Sequence, residues 1–314
     1  MGMIDYSVPP LSAEAEPHRS RLFGIAYRML GDVHEAEDLV QETYLRWHQA
    51  DQAAIAVPEA WLVSVITRLA IDRSRRAEME RLQYVGTWLP EPLATSADAA
   101  DHHAELASDL SVAFLVLLER LAPEERAAFL LREVFDVGYD EIARVLDKSE
   151  AAVRQTVHRA KVRVRAERPR FAPNRQSQEA LLERFLSALA ADDKDAMLAL
   201  FASDATFTSD GGGKVPAARN ILEGPERIVR FLLGLNRKHA GRVRFAIVEL
   251  NGLPAIASYY EGRIAATTSF ETDGTRILAV YRVLNPDKLR HLYEGLSPNE
   301  GVNSILHRQS ASAP

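Results

Sequence analysis

No cysteine occurs among the 314 residues, which excludes disulfides, thiolate catalysis and cysteine-ligated zinc and fits a reducing compartment. No apolar run is long enough to cross a bilayer and no leader pattern stands out, so the expectation is a cytoplasmic protein without membrane contacts. Metal-ligand spacing and a clear acid–base pair are also missing. No catalytic residue, no metal site and no cofactor is therefore expected. Nor is there a global excess of positive charge: 38 Lys and Arg face 44 Asp and Glu, for a net charge of −6. Nothing in that balance announces a nucleic-acid partner, although an average can hide a basic module beside an acidic one.

What is present separates by texture. A chain of this length suits two or three domains. Residues 15–81 are helical in pattern, with little glycine or proline. Residues 82–106 read as a linker with two prolines and many small residues, and helical periodicity returns over 107–170. Residues 176–290 open with two helices and continue with four alternating runs, "VRFAIVEL", "PAIASYYEG", "RIAATTSFET" and "RILAVYRVL", as in an antiparallel meander. Residues 291–314 form a helix-poor tail rich in Ser and Ala. The fold class is multidomain: two all-α modules, then an α+β domain.

In the first module, Asp32 followed by Glu35 has the form of a capping box. Ala36, Leu39, Val40, Thr43, Tyr44 and Trp47 then recur at helical spacing and define a buried face. Glu35, Asp38 and Glu42 fall elsewhere, and periodicity alone makes them a solvated surface. The next helix begins at Pro58 and carries Trp61, Leu62, Val65, Ile66 and Leu69 as a core stripe. It ends in Arg68, Arg73, Arg75 and Arg76, which suit a helix C-terminus whatever their function.

The second module is more specific. "YDEIARVL" is about two helical turns, "DKS" is a tight connector, and Ser149 caps a helix running to about Glu167. This is helix-turn-helix spacing. Val153, Val157, Ala160 and Val164 line one side of the last helix, while Arg154, Gln155, His158, Arg159 and Arg165 point away. Residues 150–170 hold seven Lys and Arg against two acids. An apolar back and an Arg/Gln/His front suit a major groove, because Arg and Gln can make paired hydrogen bonds to base edges. The alternative is a solvated basic helix of a bundle.

With these residues in view, the chain resembles the extracytoplasmic-function sigma factors. "AEDLVQETYLRW" and "WLVSVITRLAIDRSRR" resemble their region 2, and the helix-turn-helix resembles region 4. The resemblance implies a subunit that joins core RNA polymerase, at its clamp helices and flap, and directs it to a promoter. It places Glu37, Asp38, Gln41, Glu42 and Arg46 on the polymerase. It places single-stranded −10 DNA on a loop from Asp51 and Gln52 to Pro58, on Trp61, and on Arg68, Arg73, Arg75 and Arg76. Duplex −35 DNA falls to Ser149, Arg154, Gln155, His158, Arg159, Arg163 and Arg165. Asp147 stands where these proteins commonly have glycine, and aspartate tolerates the left-handed conformation that such a turn requires.

The third block resembles the SnoaL-like (NTF2-like) α+β cone. "WLPEP" (Trp88, Leu89, Pro90, Glu91, Pro92), "DGGGK" (Asp210, Gly211, Gly212, Gly213, Lys214) and "NPDKL" (Asn285, Pro286, Asp287, Lys288, Leu289) together resemble the SigJ-type subgroup, whose members carry such a domain at the C-terminus. What the resemblance implies is regulation in cis, through contacts of this domain with the sigma modules and the linker. The lysine after three glycines is not a phosphate loop, since Val215 and Pro216 replace the required Ser or Thr and helix. The stretch reads as a flexible contact loop near "WLPEP", with the preceding "ATFTSD" at an edge of the cone. Trp88 is expected to anchor a docked linker.

Two other classes remain. The cone could be an enzyme or a sensor of a small ligand coupled to initiation, with Asp210, Lys214, Arg219, Asn220, Tyr259 and Tyr260 as pocket polars. Fold alone licenses no chemistry, so a protein-contact role is preferred to sensing, and sensing to catalysis. An ordinary helix-turn-helix repressor would not need the region-2 module and should bind duplex DNA without polymerase.

Overall fold

The computed structural model describes residues 16–95, 110–167 and 175–292. The expected tail therefore lies outside the described residues apart from His291 and Leu292. The chain divides into two compact units: one holds the chain through Arg75 together with Ala122–Ala160, the other Arg76–Leu121 and the chain from Lys161 onward.

The first unit is helical. Helix α1 (Arg19–Leu30) is buried from Leu22 to Leu30 and stops at Gly31, whose φ of 64° closes the last turn onto the Tyr27 carbonyl. Helix α2 (Val33–Gln49) starts where the Asp32 side chain accepts the Glu35 N–H at 2.9 Å. Its buried residues are Ala36, Leu39, Val40, Thr43, Tyr44 and Trp47, the face that the spacing predicts. A short 3₁₀ turn, Gln52–Ala54, leads to α3 (Pro58–Arg81). Here the stripe differs from expectation. The buried residues are Leu62, Val63, Ile66, Thr67, Ala70, Ile71 and Ser74, whereas Trp61, Val65 and Leu69 are half-buried. The helix packs on more than one neighbour, and small polar residues share the face that apolar periodicity assigns to larger ones.

Helices α5 (Pro123–Glu133), α6 (Tyr139–Leu146) and the first part of α7 (Glu150–Glu167) complete this unit. Asp147 adopts φ 52° and ψ 51°, so the left-handed turn between α6 and α7 is kept. Ser149 caps α7 by accepting the Ala152 N–H at 3.3 Å. Among the described residues of this unit, two arginines are nine-tenths or more buried. Arg28 donates to the Gly24 carbonyl at 3.2 Å and lies 5.3 Å from the Phe135 ring centre. Arg126, on α5, donates to the Met29 carbonyl in the last turn of α1, where a cation complements the helix dipole.

The second unit is built on a six-stranded sheet of order β2-β1-β6-β5-β4-β3, from β1 (Phe201–Asp210), β2 (Leu222–Glu223), β3 (Val243–Leu250), β4 (Leu253–Tyr260), β5 (Arg263–Thr272) and β6 (Ile277–Val283). The sheet is mixed rather than a pure meander. β1 runs parallel to β6, with Phe207 opposite Val280 and Asp210 opposite Val283. That corrects the expectation for "ATFTSD": β1 lies inside the sheet, between β6 and the two-residue β2. One face is covered by helices α8 (Arg175–Ala190), α9 (Lys194–Ala199) and α10 (Pro225–Lys238), whose apolar residues pack on Phe207, Ile256, Phe270 and Val280. The opposite face carries Ala255, Ala257, Tyr259, Ile264 and Val283. β4 alternates between the two, so a strand with both faces buried reads as a nearly continuous apolar run. The short helix α11 (Pro286–Leu289) follows β6.

Candidate nucleic-acid interface and linker-docking joint

On α7, Val153, Val157, Ala160 and Val164 are buried, while Arg154, Gln155, His158, Arg159, Arg163 and Arg165 are exposed. The turn at Asp147 and the cap at Ser149 fix where this exposed row begins. Arg154 lies 4.1 Å from the Tyr139 ring centre and 3.3 Å from the Glu150 carboxylate, which orients it along the first turn. The row is a fork of donors on a rigid helix, the chemistry that reads guanine and adenine edges.

On α2, Asp38 and Gln41 are exposed beside the exposed apolar side chain of Leu45. Glu37 pairs with Arg19, and Glu42 pairs with Arg46 at 2.7 Å. The arginines expected on −10 DNA are largely engaged elsewhere. Arg68 donates to the carbonyls of Val145 and Arg144, at 3.0 and 2.9 Å, at the C-terminus of α6. Arg73 meets Glu35 at 2.9 Å and Arg75 meets Asp72 at 3.2 Å, whereas Arg76 is exposed. Gln52 donates to the Trp47 carbonyl at 3.1 Å, and Trp61 stands edge-on to Trp47 with ring centres 5.4 Å apart. Asp51 is exposed and Pro58 half-buried at the mouth of α3.

In the second unit the three short motifs come together around one carboxylate. Asp210, at the end of β1, is fully buried. Its Oδ1 accepts from the Tyr84 hydroxyl at 2.6 Å and the Gly212 N–H at 2.9 Å. Its Oδ2 accepts from the Leu89 N–H at 3.0 Å and the Lys288 ammonium at 2.8 Å. Four donors on two oxygens satisfy the group. Burial first, and then the Asp210 carboxylate, push the Tyr84 hydroxyl well above its usual range, so it remains a donor. Lys288 also donates to the Leu89 carbonyl and lies 4.2 Å from the Trp88 ring centre, whose ring centre lies 3.6 Å from the Arg81 guanidinium carbon. Asn285 donates to the Tyr84 oxygen at 3.0 Å. Lys214 pairs with Asp287, whose carboxyl is held below its usual range first by that hydrogen bond.

This geometry explains the glycines. Gly212 and Gly213 have φ of 60° and 70°. A methyl group on Gly212 would stand 2.4 Å from the Asn285 amide, and one on Gly213 would stand 2.9 Å from Val85 of the linker. Close approach, not looseness, is what the glycines permit. The flexible-loop expectation is corrected in that respect: Asp210 and Gly211 are buried and hydrogen-bonded into the joint.

The linker continues along the sheet. The Leu93 N–H donates to the Asn251 side chain at 3.1 Å, the Asn251 N–H returns to the Leu93 carbonyl at 2.7 Å, and Ala94 forms an antiparallel bridge with Leu250. Pro90, Glu91 and Pro92 are buried, and His291 reaches the Pro92 carbonyl at 2.6 Å and the Glu91 carboxylate at 2.8 Å. Trp88 is only half-buried. The anchor is Leu89, 1% exposed within the apolar cluster of the outer sheet face. Helical periodicity over 107–170 covers α4 (Val112–Leu118), whose Ser111 cap accepts the Phe114 N–H at 3.2 Å, but not its packing on the sheet. Val116 packs on that same outer face, and Val112 and Ala113 share a small pocket with Leu253, Phe270 and Tyr281. Of the six pocket polars named from the sequence, only Tyr260 lines the interior cavity of this unit. Tyr259 faces the other way, Arg219 and Asn220 are exposed, and Asp210 and Lys214 belong to the joint.

Comparison with known proteins bears on both units. Models of sigma-70 region 2, sigma-70 region 4 and a SnoaL-like domain match residues 15–79, 111–164 and 182–290. The chain is 40% identical over 290 residues to the ECF RNA polymerase sigma factor SigJ of Mycobacterium tuberculosis (strain ATCC 25618 / H37Rv), covering 88% of this chain and 92% of that one. It is 28% identical to the probable ECF RNA polymerase sigma factor SigI of M. tuberculosis (strain CDC 1551 / Oshkosh), over 89% and 95% of the two chains. The crystal structure of M. tuberculosis extracytoplasmic function sigma factor SigJ matches with a TM-score of 0.72 at 35% identity, covering 88% of this chain and 97% of that one. The chain therefore belongs to the extracytoplasmic-function RNA polymerase sigma factors, among the SigJ-type members that carry a fused C-terminal SnoaL-like domain.

Proposed function

We propose that this sigma factor is controlled in cis through its linker and the first helix of region 4, both held by the SnoaL-like domain. The observation that carries this reading is the saturated Asp210 carboxylate, which ties Tyr84 and Leu89 of the linker to Lys288 of α11. α4 lies within the residues matched by the region-4 model, yet it packs on the outer face of the domain's sheet. Leu121 and Ala122 then lead straight into α5 and the helix-turn-helix. A domain that grips the chain on both sides of residues 96–109 sets the span available between regions 2 and 4.

In this reading the exposed row of α7 reads the −35 element, Asp38 and Gln41 with their neighbours Glu37, Glu42 and Arg46 meet the polymerase clamp helices, and the Asp51–Pro58 loop with Trp61 and the α3 arginines takes single-stranded −10 DNA. Arg68 cannot serve DNA and the α6 carbonyls at once, so unit one as described is a resting arrangement that opens on promoter binding. Replacing Arg154 and Gln155 together by alanine should lower promoter occupancy by about tenfold to a hundredfold, since each bidentate base contact contributes roughly 1–3 kcal/mol. The measurement uses core polymerase, and promoter DNA selected by the wild-type holoenzyme from templates randomised at −35. Unchanged occupancy, or tight duplex binding without polymerase, would remove α7 from promoter reading as a sigma factor performs it.

A further inference from the structure

Between the inner sheet face and helices α8 and α10 lies a cavity of about 370 Å³, within the range that holds a small organic ligand. Phe185, Leu189, Leu232, Phe245 and Ile256 make most of its wall apolar. Its charged or titratable lining groups are Arg282, Lys238, His239 and Tyr260, with no Asp or Glu among the described residues that line it. In a chain of net charge −6, a cavity whose described lining carries cations and no carboxylate is a selective arrangement.

Arg282, on β6, is the informative group. Its Nη1 donates to the Thr268 hydroxyl at 3.0 Å, its Nη2 reaches the Ser258 hydroxyl only at 3.5 Å, and its Nε has no partner among the described residues. Burial pushes the guanidinium down to about 10, which still leaves it charged at neutral pH. Arg282 is half-buried, with its Nε sealed from solvent, and neutral hydroxyls do not compensate a cation drawn partly out of water. The buried Lys288, by contrast, has the Asp210 carboxylate as its counter-charge. Nε and Nη2 share the edge of a guanidinium that takes a carboxylate side-on, and in Arg282 that edge is the weakly satisfied one.

We propose that this cavity binds an amphipathic organic monocarboxylate, with its apolar body against the Phe185–Leu232–Ile256 wall and its carboxylate on Arg282. Lys238, which also lines the cavity, raises the local positive potential. Val215, Pro216 and Leu284 also line the cavity, and they adjoin Lys214 and Asn285 of the linker joint in sequence. A ligand there touches the segments that hold the linker.

Calorimetric titration of the full-length protein with decanoate and with 1-decanol tests the assignment. Decanoate should bind wild type at least about tenfold more tightly, as a charge-assisted hydrogen bond would provide. Arg282→Gln should erase that preference while leaving decanol binding in place. Ala265→Trp, at an exposed position of the wall, should block both probes. The proposal is overturned by equal affinities, by no binding of either probe, or by a preference that survives Arg282→Gln. Should Arg282→Gln fail to fold, decanoate binding unchanged in Ala265→Trp overturns it instead.

Discussion

Replacing Asp210 by alanine should destabilise the C-terminal unit by about 3–5 kcal/mol, the usual result of removing one partner of a buried ion pair. Lys288 is 8% exposed by its side chain and Asp210 wholly buried, so the ammonium would keep its desolvation penalty and lose its counter-charge. Three further donors would lose their acceptor: the Tyr84 hydroxyl and the N–H groups of Leu89 and Gly212. Asp210→Asn should also be costly, because an amide offers one acceptor oxygen where the site presents donors on both sides. Adding Lys288→Met to Asp210→Ala should restore part of the loss, since the pair then leaves together. Urea denaturation of the full chain, followed by a probe within the C-terminal unit, reads these differences, and limited proteolysis at residues 84–95 reads release of the linker. A loss below about 1 kcal/mol would show that the pair behaves as an exposed one.

Arg126→Ala should cost the helical unit about 3 kcal/mol, combining the loss of a charge-assisted hydrogen bond to a buried carbonyl, which keeps only the Ser74 hydroxyl as donor, with the packing of a long side chain. The guanidinium is 1% exposed and joins α5 to the end of α1 at Met29, across 97 residues of sequence. Because α1 belongs to region 2 and α5 to region 4, the loss should be accompanied by looser association of the two modules within this unit. Arg126→Met keeps much of the aliphatic volume and should cost less. Hydrogen exchange of the α1 and α5 amides in the two variants checks both statements; equal protection in wild type and Arg126→Ala would contradict them.

What the sequence disclosed and what it withheld divide along the range of the interaction. The α2 face, the Asp32 cap, the left-handed Asp147 and the Ser149 cap each depend on residues within about one helical turn, so spacing alone locates them. The three motifs around Asp210 were legible as a group only through family resemblance. Their chemistry was not, because Tyr84, Asp210 and Lys288 are brought together from 126 and 78 residues apart. Trp88 drew attention by size, yet Leu89 is the buried anchor: hydrophobic bulk does not say which neighbour faces the sheet. α4 reads as part of a helical module, and its packing on the outer sheet face follows from tertiary apolar contacts that no local pattern encodes. The parallel pairing of β1 with β6 is of the same kind, since an alternating run does not name its partner strand.

Control through the linker is tested most directly by transcription in a reconstituted system, with core polymerase, the selected promoter, and either wild type or Asp210→Ala, after proteolysis has verified that the linker of the variant is released. If the joint sets the span between regions 2 and 4, transcript yield should change by roughly fivefold or more, a shift of about 1 kcal/mol in promoter engagement, while association with core polymerase stays the same. Equal transcript yield from the docked and the released linker would contradict it.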